Sequence, residues 1–289
     1  MLMKIVNILK TRGVSGLFLK AVSKVYPLKI ANWAMYSDNL RGKRGLEIGG
    51  PSKIFSEKGS LPLYSIIESL DGCNFNSTTV WEGTIEEGMT YEFLGGKKGY
   101  QFISDTVDLQ DILSKKYDFV LSSNVLEHIA NPLKAVSEWI RVLGDNGILV
   151  LAVPHRDATF DHNRPISTFV HLLEDFNKDV YEDDLTHLQE ILELHDLSLD
   201  PFSGDFESFK ERSLNNYENR CLHHHVFDTE LVIDIFNFLE LQILSIDFDL
   251  SNNIIIMGRK IEAGKANNDA FMGNKAIYRQ KSPYLTDRR

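Results

Sequence analysis

Cysteine is scarce in this chain of 289 residues, which contains only two. Cys73 and Cys221 lie far apart, and neither belongs to a Cys-x-x-Cys pair. Such spacing indicates neither a disulfide framework nor a thiolate metal site. We therefore expect a protein of the reducing cytoplasm.

Long apolar runs are also missing. No run approaches the roughly 18–20 residues that span a bilayer, and the N-terminus lacks the basic, apolar and small-residue succession of a secretory signal peptide. With 43% apolar and 25% charged residues, the composition is that of an ordinary globular protein. These features predict a soluble chain made of one large domain with a modest insertion.

Acidic residues are absent from residues 1–37, which hold six basic ones. Residues 38–259 show the opposite balance, with 38 acidic against 18 basic residues, and residues 260–289 are again basic. A nucleic-acid-binding surface needs basic side chains to neutralise phosphates. The acidic body therefore argues against a nucleic-acid partner.

The basic N-terminal segment has helical periodicity. Apolar residues recur at helical spacing from Val14 to Val25, and a shorter helix is predicted before Gly13. A basic amphipathic helix packs on its own domain, on a second subunit or on anionic lipid. We therefore treat residues 1–37 as a separate segment that serves homodimer contact or peripheral membrane contact.

From residue 45 onward, short apolar runs alternate with helical ones. The runs at 45–50, 63–70, 100–104, 117–123 and 148–153 are predicted as strands. Asn131 and Pro132 supply an N-cap and a first-turn proline for a helix that ends near Gly144. Strands that alternate with helices indicate βαβ units and a doubly wound α/β sheet.

The pattern changes after Pro154. Residues 155–227 are polar and rich in histidine, which predicts an inserted helical cap after the fifth strand. Asp228 then caps a helix that runs to about Leu239, and a closing hairpin follows at 241–248 and 253–257. Residues 260–289 have little periodicity and are predicted as a flexible tail.

The alternating region carries a series of motifs in a fixed order. Leu46–Gly50 is a strand that ends in glycines, Ser104–Leu109 is an acidic segment after the third strand, and Tyr117–His128 is a strand followed by Leu-Glu-His. This series resembles the class I S-adenosylmethionine-dependent methyltransferases over residues 45–153. The resemblance implies a methyltransferase domain over residues 38–259, with a seven-stranded, mostly parallel Rossmann-like sheet and S-adenosyl-L-methionine as the cofactor.

The same resemblance implies which residues surround the cofactor. An acid at the end of the second strand holds the two ribose hydroxyls, since a carboxylate accepts from both; Asp71 is the first choice and Glu68 the second. The family has a glycine where Pro51 or Ser52 stands, so the loop departs from the pattern here. The other implied residues are Glu47, Gly49 and Gly50 at the methionine part, Asp105 and Thr106 at the adenine, and Ser122, Ser123 and Asn124 beyond the fourth strand.

The acceptor side is predicted from two histidine clusters, one just after the fifth strand and one at 223–225. A hydroxyl acceptor needs a base, and histidine has an unperturbed pKa of about 6.5. Our order of preference for that base is His155, then His162, then His128. The predicted acceptor-binding residues are Arg156, Asp161, Arg164, His223 and His225.

The histidine clusters leave other interpretations open. His155, Asp161, His162 and either His223 or His225 have the chemistry of divalent metal ligands, but no tight motif such as HExxH is present, so no metal is predicted. A metal-dependent hydrolase and a non-catalytic module that docks a partner through residues 1–37 are the rival interpretations. A dehydrogenase is disfavoured, because the glycine loop lacks GxGxxG spacing.

The favoured hypothesis is a cytoplasmic methyltransferase that acts on a small molecule or a glycoconjugate. O-methylation of a hydroxyl is the expected reaction. By resemblance, surface polysaccharide biosynthesis is the expected context.

Overall fold

A twisted sheet with helices on both faces forms the frame of the molecule. The structure is a computed structural model that describes residues 29–249 and 252–288. The main sheet has the strand order β5-β6-β2-β1-β7-β8-β10-β9, and β3 and β4 form a separate small hairpin. The strands are β1 (Arg44–Ile48), β2 (Ser69–Asn74), β3 (Thr78–Thr79), β4 (Gly83–Thr84), β5 (Gly88–Leu94), β6 (Lys97–Ile103), β7 (Tyr117–Ser123), β8 (Leu143–Pro154), β9 (Leu241–Phe248) and β10 (Asn253–Lys260).

The helices begin where the sequence supplies caps. Asn131 accepts a hydrogen bond from the Lys134 backbone N–H and precedes Pro132, and Asp228 accepts one from the Leu231 N–H. Both predicted helices are therefore confirmed. The helices of the described residues are α1 (Trp33–Leu40), α2 (Pro132–Val142), α3 (Phe169–Lys178), α4 (Leu188–Leu194), α5 (Phe206–Leu214), α6 (Asn216–Asn219), α7 (Thr229–Phe238) and α8 (Ile277–Lys281).

The doubly wound, mostly parallel sheet is confirmed, but it has eight strands rather than the expected seven. Strands β6, β2, β1, β7 and β8 are parallel, and β10 and β9 form the predicted antiparallel hairpin. The additional strand is β5, which pairs antiparallel with β6 at the sheet edge. Gly95 and Gly96 between them both have positive φ, a conformation that glycine adopts without steric cost.

The second strand is misplaced in the sequence prediction. The run at 63–70 was expected to form it, whereas β2 occupies Ser69–Asn74. Leu63 and Ile67 are buried because they pack under the sheet from an irregular connection. The actual strand contains an aspartate and a glycine, which weaken its apolar signal.

Two apolar layers enclose the sheet. On one face, Trp139 of α2 and Phe236 of α7 belong to the core, and on the other face Tyr36 and Leu40 of α1 do. In β8, the alternate side chains of residues 148–153 enter both cores. This explains the continuous apolar run of that segment, which is typical of a strand covered on both sides.

The structure allows the predicted insertion to be checked, but it does not describe the predicted N-terminal helices. Residues 155–227 contain helices α3 to α6, as the prediction of a helical insertion requires. The helices predicted before residue 26 lie outside the described residues, so dimer or membrane contact through residues 1–37 stays a prediction. Among the described residues, no helix has both the length and the apolar character needed to cross a bilayer.

The C-terminal segment packs on the domain, in contrast to the predicted flexible tail. Tyr284 is fully buried and stacks on the ring of His155, with 3.8 Å between the ring centroids. The Asp287 carboxylate accepts hydrogen bonds from the hydroxyls of Thr229 and Ser282 at 2.7 and 2.6 Å. Through these contacts, the last described residues tie the end of β8 to the start of α7.

The packing of this segment predicts a large stability loss for Tyr284→Ala. Removing a buried aromatic ring costs about 3–5 kcal/mol, measurable as a lower free energy of unfolding in urea. Ile277→Ala, in the same segment at an exposed position, is the matched control and changes stability by less than about 0.5 kcal/mol. Equal, small effects of the two substitutions would contradict a packed tail.

Candidate active site

A large cavity lies at the carboxyl edge of the parallel strands. Gly49 after β1, Asn74 at the end of β2, Asp105 after β6, Ser123 of β7 and Pro154 of β8 all line it. Its volume is about 1050 Å³. Such an edge is where open α/β sheets bind ligands, because neighbouring strand ends diverge there.

The insertion closes this cavity from above. Thr159, Phe160, Glu182, Phe202 and His223 contribute to the opposite wall. The cavity therefore lies between the sheet edge and the cap. This arrangement has one side suited to a cofactor held by the strand ends and another side suited to a second reactant.

The glycine loop after β1 is shaped by two close contacts. Gly49 has φ +75°, and a Cβ there would lie 2.4 Å from the Val125 Cγ2. A Cβ on Gly50 would lie 2.3 Å from both the Glu47 carboxyl carbon and the Tyr91 Oη. Only glycine therefore fits at both positions, and the loop lies directly against the neighbouring β7 connection.

The Glu47 carboxylate stabilises this loop through hydrogen bonds. It is fully buried and accepts hydrogen bonds from the Ser52 backbone N–H at 3.0 Å and from the hydroxyls of Tyr64 and Tyr91 at 2.7 and 2.6 Å. Burial raises the pKa of Glu47, and the three donors oppose that shift. Glu47 does not line the cavity, and neither does Gly50. Both shape the loop, and of the predicted group Gly49 alone reaches the cavity.

Asp71 lies in the interior of β2 and not at its carboxyl end. Its carboxylate accepts hydrogen bonds from the Tyr100 backbone N–H at 2.9 Å and the Tyr117 hydroxyl at 2.7 Å, away from the cavity. The second choice, Glu68, pairs with Arg44 on the surface. The placement of either acid at the strand end is therefore wrong, because the strand ends later than the sequence pattern indicated.

Asn74 occupies the position that sequence reasoning assigned to an acid. It is buried, lines the cavity, and donates from Nδ2 to the Gly50 carbonyl at 3.3 Å. This bond connects the end of β2 to the glycine loop and leaves the amide oxygen as an acceptor. Correct placement of the strand end is the signal that would have identified it.

Asp105 and Thr106, the residues that the resemblance assigns to the adenine, both line the cavity. One Asp105 oxygen accepts from the Tyr181 hydroxyl and pairs with Arg220 at 3.4 Å, while the other accepts from the Val107 N–H. The Thr106 carbonyl accepts from the indole N–H of a buried tryptophan at 3.1 Å. Asp105 is thus oriented both by its own turn and by the cap.

The predicted residues at the end of β7 do not all face the cavity. Ser123 and Asn124 line the cavity, and the Asn124 amide exchanges hydrogen bonds with Asn253 of β10 at 3.2 Å. Ser122 is fully buried on the other side, and its hydroxyl has no hydrogen-bond partner among the described residues. Ser122 therefore does not contribute to the cavity wall.

The first two histidines predicted as the base lie outside the cavity. His155 is buried, accepts from the Asp157 N–H through Nδ1, and faces Asp287 through Nε2 at 3.3 Å. His162 contacts the Thr159 carbonyl through Nδ1. Neither lines the cavity, so the order of preference that put His155 first is corrected by the geometry.

The predicted acceptor-binding arginines hold the cap together. Arg164 is buried and donates to Asp161 at 2.9 Å, to Glu190 at 2.8 Å and to the His223 carbonyl at 2.8 Å. Arg156 donates to the Arg164 carbonyl at 2.6 Å. Neither arginine lines the cavity, so both orient other residues of the insertion.

Asp161 and His223 form a buried pair at the cavity wall. His223 Nδ1 lies 2.6 Å from Asp161 Oδ2, and His223 lines the cavity. Burial opposes the charged forms, but their mutual attraction raises the pKa of His223, and with help from Arg164 it lowers that of Asp161. His223 Nε2 has no hydrogen-bond partner among the described residues. It is the ring nitrogen left for a ligand.

Glu127 and His128 complete this part of the wall. Burial raises the pKa of Glu127 to about 7, and its Oε2 has no hydrogen-bond partner within the described part of the chain. His128 contacts the Leu222 carbonyl through Nδ1 at 3.1 Å. One ligand atom from each of Glu127, His128 and His223 falls within 4.8 Å of the others, which is close enough to hold a divalent ion.

The donor set fits the cofactor implied by the motifs. The sheet side of the cavity offers amide, carboxylate and hydroxyl groups for a nucleoside, and Glu127 adds an unpartnered buried carboxylate that suits a cationic sulfonium. The glycine loop admits close approach along the backbone. Asn74, Asp105, Thr106 and Ser123 are polar residues that line this side of the cavity.

The loop geometry predicts a difference between two glycine substitutions. Gly49→Ala costs more stability than Gly264→Ala, because both residues have positive φ but Gly264 has no atom within 4 Å of an added Cβ. Strain alone costs about 1–2 kcal/mol, and the clash with Val125 adds about 1–3 kcal/mol. Thermal unfolding measures both, and Val125→Ala in the Gly49→Ala background restores part of the loss. Equal losses at the two glycines would refute the close contact.

Comparison with protein families gives one match. Residues 28–200, more than half of the chain, match a family described as a methyltransferase domain. No curated protein matches the chain significantly.

Among solved structures, a methyltransferase from Thermotoga maritima, described as a possible histamine N-methyltransferase, is 15% identical over 79% of this chain and 87% of that one, with a TM-score of 0.38. A methyltransferase from Aquifex aeolicus is 11% identical over 84% and 97%, with a TM-score of 0.43. The 1,6-didemethyltoxoflavin N1-methyltransferase of Burkholderia thailandensis is 9% identical over 80% and 79%, with a TM-score of 0.43. By the match over residues 28–200, the chain belongs to the methyltransferase-domain family.

Proposed function

We propose that the protein methylates a hydroxyl group of a small acceptor, with His223 as the general base. The observation that carries this proposal is the Asp161–His223 pair on the cavity wall. When bound, S-adenosyl-L-methionine supplies a methyl group on a positively charged sulfur. The residues of the chain then have to position the acceptor and remove one proton.

The pair fixes the tautomer that a base requires. Asp161 accepts a hydrogen bond from His223 Nδ1–H, so the lone pair of the neutral ring resides on Nε2. Arg164 in turn fixes Asp161 with a 2.9 Å hydrogen bond. A base held by a carboxylate that is itself oriented is the arrangement of other activated nucleophile systems.

The proton and electron balance is straightforward. The acceptor oxygen forms a bond to the methyl carbon, and the electron pair of the broken carbon–sulfur bond stays on sulfur, which becomes neutral. The acceptor proton passes to His223 Nε2, and Asp161 stabilises the resulting imidazolium.

The cofactor is proposed to lie along the strand ends. Gly49, Asn74, Asp105, Thr106 and Ser123 supply that side of the cavity. Glu47 and Asp71 are not proposed to touch it, since neither lines the cavity. Asn124 stands between the two halves, beside the turn that carries Glu127.

A sugar or glycoconjugate is the acceptor we propose. The cavity volume of about 1050 Å³ is at the top of the range of roughly 300–1,000 Å³ for small-molecule sites, so two reactants fit side by side. Trp81 is 52% exposed and lines the cavity 5.0 Å from the His128 ring, which provides an aromatic face for the C–H groups of a sugar ring. Surface polysaccharide biosynthesis remains the context expected from the resemblance alone.

A second candidate is supported by the closeness of Glu127, His128 and His223. In that case, Glu127, His128 and His223 would hold a divalent ion, which would supply Lewis-acid activation of a hydroxyl acceptor. Chelation distinguishes the two candidates. Activity that disappears in EDTA and returns with Mg²⁺ or Mn²⁺ favours the ion, and activity that persists in EDTA favours the base.

His223→Gln is predicted to lower kcat by about 10²–10⁴-fold, the usual contribution of a general base. Release of S-adenosylhomocysteine is measured with a panel of free and nucleotide-linked sugars. The affinity for S-adenosylhomocysteine stays unchanged, because His223 lies on the acceptor side. His162→Gln is the matched control, being a histidine of the same insertion outside the cavity, and retains activity. Turnover of amine acceptors only, or full activity of His223→Gln, would exclude the proposed reaction.

Calorimetric titration with S-adenosylhomocysteine tests the cofactor side. Asn74→Ala is expected to weaken binding about 2–10-fold, the equivalent of one hydrogen bond. Asp71→Asn is expected to leave the affinity unchanged, because that side chain lies in the strand interior. The reverse order of effects would restore Asp71 as the ribose ligand, and absence of binding to the unaltered protein would remove the cofactor assignment.

A further inference from the structure

A second group of histidines lies inside the cap, outside the cavity. His171 of α3, His187 just before α4, and His225 each offer a ring nitrogen within 4.8 Å of the others. None of the three lines the cavity. The Nε2 atoms of His171 and His187 are 2.8 Å apart. Three segments that are distant in the chain therefore converge on one point.

Asp175 places a carboxylate beside this group. It lies one helical turn after His171, so both side chains project from the same face of α3. Its Oδ2 is 3.3 Å from His171 Nε2 and 3.7 Å from His225 Nε2. That oxygen is buried and has no hydrogen-bond partner among the described residues. A buried carboxylate oxygen without a partner is costly, which indicates a missing ligand.

One ring nitrogen of His225 contacts a backbone carbonyl, as is usual for a metal-binding histidine. The Nε2 atom lies 3.1 Å from the Ala130 carbonyl, so the ring proton resides there and the lone pair resides on Nδ1. Nδ1 is buried and, within the described part of the chain, makes no hydrogen bond. Metal-ligating histidines usually donate their other N–H to a carbonyl or carboxylate in this way.

We propose that His171, Asp175, His187 and His225 bind one divalent transition metal ion, with Zn²⁺ as the best match. Three imidazoles and one carboxylate are a ligand set that Zn²⁺ favours, and four protein ligands make a closed structural site.

A simple hydrogen bond between His171 and His187 accounts for less of the geometry. It explains the 2.8 Å separation of the two Nε2 atoms. It leaves Asp175 Oδ2 and His225 Nδ1 buried without a hydrogen bond. An ion bound among the three imidazoles, with Asp175 beside them, would account for the convergence of these side chains.

The ion would fix the segment that carries His223. His225 is two residues beyond His223, and its other ligands belong to α3 and to the turn before α4. Metal binding thus connects the base-bearing segment to two parts of the cap. The proposal does not depend on the chemistry assigned to His223, because the site lies outside the cavity.

The test is a titration of the purified, chelator-treated full chain with ZnCl₂ in competition with a chromophoric chelator. The unaltered protein is expected to bind one equivalent tightly and to gain thermal stability. The double variant His171→Gln/His187→Gln weakens Zn²⁺ affinity by at least about 100-fold and loses the stability gain. The double variant His128→Gln/His223→Gln, in the other histidine group, retains both.

A third variant separates loss of ligands from loss of folding. His187→Cys keeps a metal-binding side chain, so it retains Zn²⁺ and adds a thiolate-to-metal charge-transfer band when Co²⁺ is bound. Absence of tight Zn²⁺ binding by the unaltered protein would overturn the proposal. Loss of the ion in His128→Gln/His223→Gln but not in His171→Gln/His187→Gln would overturn it as well, by placing the ion in the cavity.

Discussion

A buried carboxylate organises the sheet edge on which the active cavity depends. Glu47 is removed from water, where an ion needs compensating donors. Tyr64 reaches it from the connection after β1, and Tyr91 reaches it from the edge strand β5. Tyr91 has room to do so because Gly72 of β2 lacks a side chain; a Cβ there would be 2.1 Å from the tyrosine ring. The additional eighth strand therefore has a structural purpose, since it delivers one of the donors that keep the glycine loop closed.

Short-range patterns allowed much of the fold to be predicted. The strand at 117–123, the helix capped by Asn131 and the hairpin formed by β9 and β10 each have a periodic apolar pattern with a cap or turn beside it. The second strand has no such pattern. Its Asp-Gly pair resembles a turn, while Leu63 and Ile67 before it are buried without being in a strand. Apolar composition reports burial, and here burial and strand formation occur in different segments.

The candidate site was predictable on the sheet side and less so on the acceptor side. Gly49, Asp105 and Ser123 follow strands, so their positions come from the topology. The partner of Asp161 is His223, 62 residues away, and no sequence spacing indicates such a pairing. His155 follows β8 directly, and its position alone suggested a role in the cavity. It instead contacts Asp287 at the far end of the chain, another long-range pairing.

Residues 38–259 contain more acidic than basic residues. Few basic side chains are therefore available to pair with the carboxylates of the cap. Arg164 therefore serves both Asp161 and Glu190, and Arg220 serves both Asp105 and Glu182. Each guanidinium forms ion pairs with two carboxylates from different segments. Substituting one of these arginines removes an ion-pair partner from two acids at once, so the losses of the two ion pairs are coupled. Because the cap has fewer positive than negative charges, one arginine pairs with acids of two segments. This sharing makes the segments of the cap depend on one another.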